Sequence, residues 1–85
     1  MIIDWANMVG LTGSAIFIVA FAYSNFAASV NKLWYNAANL LGAVLLLASL
    51  SVHFNLAAAV LELAWGAIAL AGLILAVRAR LRGRT

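Results

Sequence analysis

Glu62 is the one acidic residue inside a long apolar run, the segment 56–77, and it is the first candidate for chemistry. A charged side chain at that depth in lipid costs ~2.5–3.5 kcal/mol even on insertion-based scales, so something must satisfy it. Three arrangements would do so: a structural clasp to polar groups on neighbouring helices, a proton or ion site, or a contact with another subunit. Counting helix rise at 1.5 Å per residue from Asn55 puts Glu62 roughly 10 Å below the nearer surface. In the first apolar segment that level holds Thr12, Gly13 and Ser14, so Thr12 or Ser14 is the expected partner of Glu62. Trp65 lies one turn along, near mid-bilayer. Its indole N–H also needs an acceptor, which places it on the bundle-facing side with Glu62.

A second polar layer is expected from the opposite surface. Asn39 lies roughly 9–10 Å deep, with Asn36 one turn shallower. The first-segment group at that level is Tyr23, so an Asn39–Tyr23 hydrogen bond is the expected contact. Bonds of this kind contribute about 0.6–2 kcal/mol and fix registry more than they drive folding.

Little else in the chain could carry chemistry. The only acids are Asp4 and Glu62, the only histidine is His53, and there is no cysteine. The two acids differ by roughly 10 Å in depth and make a poor acid–base pair. A His/Cys metal cluster cannot form, and neither a phosphate-binding glycine loop nor a nucleophile elbow occurs. No enzymatic activity, cofactor or metal site is expected, and His53 reads as an ordinary interfacial residue.

The elements that position these residues follow from composition. Hydrophobic residues make up 68% of the 85, charged residues 8%, with mean hydropathy +1.13. Such a chain cannot cover a soluble fold with polar surface. Three segments, Trp5–Ala28, Leu33–Val52 and Leu56–Val77, each reach the ~20 residues that a membrane-spanning helix needs. They are continuous runs without the alternation of barrel strands, and lipid leaves helices as the alternative. The expected fold is a single all-α membrane domain over residues 1–85, three transmembrane helices in an up-down-up bundle, with a basic tail at 78–85. Ala20-Phe21-Ala22 resembles a signal-peptide cleavage site. The start of the chain carries Asp4 and no basic residue, and the apolar run overshoots a signal core, so the first helix is expected to be retained.

With three spans, Lys32 and the arginines Arg78, Arg80, Arg82 and Arg84 share one side, which the positive-inside rule makes cytoplasmic. The N-terminus, Asp4 and His53 then lie outside. A juxtamembrane basic cluster is explained by anionic headgroups at ~1 kcal/mol per residue, so a lipid bilayer, and no nucleic acid, is the expected partner. Asp4, Asn31 and Asn55 stand where N-caps are expected. Trp5, Trp34 and Tyr35 suit the interfaces. Small residues mark the packing faces: Ala6, Gly10 and Ser14 with Gly13 in the first helix, Gly42 in the second, and Gly66, Gly72 and Ala76 in the third.

Taken together, Gly10-x-Thr12-Gly13, Asn36-x-x-Asn39-x-x-Gly42 and Asn55 followed by Glu62-x-x-Trp65 resemble a family of short, uncharacterised three-helix bacterial membrane proteins, a domain of unknown function. The resemblance covers about Val9 to Gly72. It implies a bacterial inner-membrane location and supplies no reaction, substrate or partner. Two roles remain open. One is a small scaffold or accessory subunit that forms homo-oligomers or docks onto a larger membrane complex. The other is an oligomeric small-solute or proton transporter using Glu62. In size the chain is similar to the half-transporters that dimerise to move sugars, but it has no proline and so lacks their proline-glutamine motif.

Overall fold

The computed structural model describes residues 4–83 as three helices: α1 Trp5–Phe26, α2 Lys32–Leu50 and α3 Leu56–Arg82. Each is long and apolar enough to cross a membrane. Arg84 lies outside the described residues. All three expected N-caps are in place. The Asp4 carboxylate accepts from Asn7 N at 2.8 Å, Asn31 Oδ1 accepts from Leu33 N and Trp34 N, and Asn55 Oδ1 accepts from Ala58 N at 3.0 Å. Each satisfies backbone N–H groups that the helix start leaves unpaired.

The helix ends differ from the sequence reading for local reasons. α1 stops at Phe26, because Ser24 Oγ and Asn25 Nδ2 both donate to the Phe21 carbonyl and turn the chain. α2 stops at Leu50, where the Ser51 hydroxyl donates to the Ala48 carbonyl at 2.6 Å. Side chains of this type compete with the backbone ladder near helix ends. α3 runs five residues beyond Val77, so Arg78, Arg80 and Arg82 sit on helix and not on an irregular tail. Arginine is a good helix former, and its long side chain can reach headgroups from a helical backbone.

The packing is an open row with α2 in the middle. α1 and α3 each pack on α2, while no Cα of α1 comes within 8 Å of one in α3. α1 presents Ala6, Gly10, Gly13 and Ala20, all buried and spaced four, three and seven, the repeat of a near-aligned helix seam. Backbones approach closely there. A Cβ built on Gly13 would lie 2.9 Å from the Gly42 carbonyl oxygen and 3.1 Å from Leu45 Cβ, and one on Gly10 would lie 2.7 Å from Ser49 Oγ. In lipid, where apolar surface gains nothing by leaving solvent, such contacts supply the association energy.

α3 meets α2 through Gly66 opposite Ala43 and Gly72 opposite Asn36. Because this register sums to about 108, α3 passes the start of α2 near residue 76, and its arginine-bearing turns project beyond the pair. The molecule is 52 Å along its longest axis, more than the ~40–45 Å of a bilayer with its headgroups. At the other end, His53 Nε2 lies 3.0 Å from Asp4 Oδ2, so the α2–α3 turn is tied to the cap of α1.

Candidate functional site

α3 turns just two of its residues fully inward, Glu62 and Ala69. Glu62 is 7% exposed, and its Oε1 is buried with no hydrogen-bond partner. The register with α2 places it one turn from Gly66 on the Asp4 side. The expected clasp does not form. Thr12 is exposed, and its hydroxyl donates to the Met8 carbonyl of its own helix at 2.9 Å. Ser14 is half-buried, and no hydrogen bond joins it to Glu62. The physical reason is rotation rather than depth. Gly10 and Gly13 point α1 at α2, which turns Thr12 away from the seam, and the α1 and α3 backbones do not approach each other.

Trp65 is the hinge between the polar layers. Its Nε1 donates to Asn39 Oδ1 at 2.8 Å, a cross-helix bond near the middle of both helices. Its ring meets Phe17 of α1 at a centroid distance of 5.6 Å, so this one side chain contacts both neighbours. Asn39 is itself buried at 5% exposure, and its amide nitrogen donates back to the Tyr35 carbonyl at 2.8 Å. Both ends of its amide are thereby used.

The expected Asn39–Tyr23 bond is absent. Tyr23 Oη instead accepts from Asn31 N at 2.8 Å, fastening the α1–α2 loop. Level and face both differ: Gly13 opposite Gly42 and Gly10 opposite Ser49 set Asn39 about a turn or more from Tyr23 along α1, and Asn39 lies on the side of α2 that meets α3. Asn36 Nδ2 donates to the Lys32 carbonyl, and its Oδ1 sits where Gly72 leaves room, since a Cβ there would be 2.5 Å away. Asn36, Asn39 and Trp65 line a groove of about 230 Å³ with Tyr35, Ile68 and Ala69. Polar groups thus run along the α2–α3 interface from the Lys32 end to mid-span, where Glu62 follows one turn further.

Two features had no counterpart in the sequence reading. One is the Asp4–His53 contact. Accepting from Asn7 N, and to a lesser degree facing His53, holds the Asp4 carboxyl below the usual carboxylate value, against a smaller opposing effect of burial. The other is a groove of about 680 Å³ between α1 and α2 on the Thr12 and Tyr23 face. The shallow depths of Asp4 and His53 were readable, but their meeting depends on the path of the 51–55 turn. No group of three His, Asp or Glu side chains gathers to hold a metal ion among the described residues.

A family model matches residues 6–80, nearly the whole chain, and that family is uncharacterised. The chain belongs to it. No curated protein and no solved structure matches.

Proposed function

We propose that this member of an uncharacterised membrane-protein family is a non-catalytic helix module, a scaffold or accessory subunit that works by associating with other transmembrane helices. The observation that carries this reading is the open row. α1 and α3 flank α2 with no backbone approach to one another, touching through the Phe17–Trp65 ring contact, and α3 buries only Glu62 and Ala69 of its 27 residues. Its remaining faces, with Leu61, Leu63, Ile68 and Leu75 exposed, are available to a further helix of a second copy or a larger complex. In this reading the Lys32 and arginine end is cytoplasmic, the Asp4 and His53 end is outside, and the membrane is a bacterial inner membrane. Crosslinking in intact membranes followed by native mass spectrometry tests it. An oligomer or a stoichiometric heteromer is expected. A chain that stays monomeric and unpartnered at native expression would sink the proposal.

A second reading, an oligomeric proton or small-solute transporter, is favoured by one observation, the partnerless buried Oε1 of Glu62. A carboxyl that its own bundle leaves unsatisfied is available to a proton or a small ligand. Reconstituted flux separates the two readings. Proton or solute flux above background that Glu62→Gln abolishes supports transport. Equal background flux in both proteins removes it.

A further inference from the structure

We infer that the groove between α1 and α2 is a binding slot for one acyl chain of an anionic phospholipid, with the headgroup held at the Lys32 end. The groove runs along α1 from Thr12 to Tyr23, a rise of roughly 16 Å. That is close to the hydrocarbon depth of one leaflet, about half of ~30 Å. Its volume is about 680 Å³, and Ala15 and Ala38 leave the width between the helices that larger side chains would close. The floor offers no free hydrogen-bond donor to a ligand, since the Thr12 hydroxyl already donates to the Met8 carbonyl.

The mouth is of different chemistry. Tyr23, Trp34 and Tyr35 line it, the ring types that sit at headgroup level. Lys32 follows the mouth residue Asn31, and the α3 arginines project at the same end of the molecule. Both acids of the chain lie elsewhere, Asp4 at the far end and Glu62 at depth on the α3 side. A slot one leaflet deep with a cationic rim and no acid nearby matches a lipid of one charge sign. A helix of a second copy would fill the groove but would leave the rim charges without a complement.

The inference rests on the chain spanning a bilayer, and reconstitution tests that separately: a chain that fails to insert gives no loaded nanodisc. The experiment is native mass spectrometry of the full chain released from nanodiscs of equal phosphatidylglycerol and phosphatidylcholine. One retained lipid per chain is expected, with phosphatidylglycerol favoured about fivefold, the factor that one juxtamembrane basic residue supplies. Ala15→Phe, at an exposed position in the groove, is expected to lose the lipid. Ala67→Phe, exposed on α3 and outside the groove, is expected to keep it. Lys32→Gln is expected to retain lipid without the preference. Circular dichroism confirms that each variant is folded. Retention unchanged by Ala15→Phe, equal retention of both lipids by the wild type, or a dimer that Ala15→Phe dissociates would each overturn the slot.

Discussion

Replacing Gly13 by alanine should weaken the fold far more than the same change at Gly66. At Gly13 the new methyl would lie 2.9 Å from the Gly42 carbonyl oxygen and 3.1 Å from both Leu45 Cβ and Leu46 Cγ. Two of those atoms can move only if α2 moves, because one is backbone and one is a Cβ. Overpacking that forces backbone apart typically costs 1–3 kcal/mol. At Gly66 the one close atom is Ala43 Cβ at 3.3 Å, which also moves only with α2, but a shift of a few tenths of an ångström relieves it.

Both substitutions gain the same helix propensity, up to ~1 kcal/mol in water, so the difference between them isolates the clash. The expected gap is about 1–3 kcal/mol, or roughly five- to 150-fold in the unfolding equilibrium. Reversible unfolding in mixed detergent micelles, followed by helical circular dichroism, measures it. Stabilities of the two variants within about 0.5 kcal/mol of each other would mean that the α1–α2 seam is not set by backbone contact at Gly13.

The Trp65–Asn39 bond should appear as coupling: Trp65→Phe and Asn39→Ala, singly and together, are expected to give a double-mutant interaction of about 0.6–2 kcal/mol. Additivity within a few tenths would show that the bond contributes nothing net. At the Asp4 end, a carboxyl held below its usual value stabilises the fold fully above its unfolded value near 3.8 and loses that contribution as pH falls through the lower folded value. Asp4→Asn keeps a capping oxygen but cannot ionise, so its thermal stability should lack the part of the acid limb seen below about pH 4 in the wild type; identical profiles would refute the linkage. For Glu62, an unsatisfied buried acceptor costs about 1–3 kcal/mol, so Glu62→Leu should raise stability by that order. A loss of similar size would show that the carboxyl is satisfied in the membrane.

Helix number, helix starts and the level of Glu62 against Thr12 and Ser14 were legible because each depends on local chemistry or on counting. An N-cap needs only its own next three residues, as Asp4, Asn31 and Asn55 illustrate. Depth needs only 1.5 Å per residue, which set Trp65 near mid-span beside Glu62 but put Asn39 in a separate layer with Tyr23, and the Trp65–Asn39 bond joins the two layers. Partners were not legible, because a partner requires the azimuth of each helix as well as its level. Small residues at Gly10, Gly13, Gly42, Gly66 and Gly72 marked the faces, yet they did not say which helix lies in the middle. Once α2 is central, Asn39 must choose α1 or α3, and the choice of α3 gives it Trp65 in place of Tyr23.

The same geometry explains why Glu62 is left without a donor. A closed three-helix bundle would bring α1 against α3 and set Thr12 or Ser14 within reach of the carboxyl. The Gly13–Gly42 approach draws α1 onto α2 instead, and the Phe17–Trp65 ring contact bridges the gap that remains. Adding a hydroxyl on α2, whose residues at the level of Glu62 are leucines, would satisfy the acid within the chain; Leu46 and Leu47 offer none. An acid left at a cost that one Ser on α2 would relieve is what both the assembly and the transport readings would use. That makes the Glu62→Leu and Glu62→Gln pair decisive together: a more stable leucine variant with altered assembly or flux assigns the residue to function. A more stable leucine variant with every other property unchanged assigns it to neither.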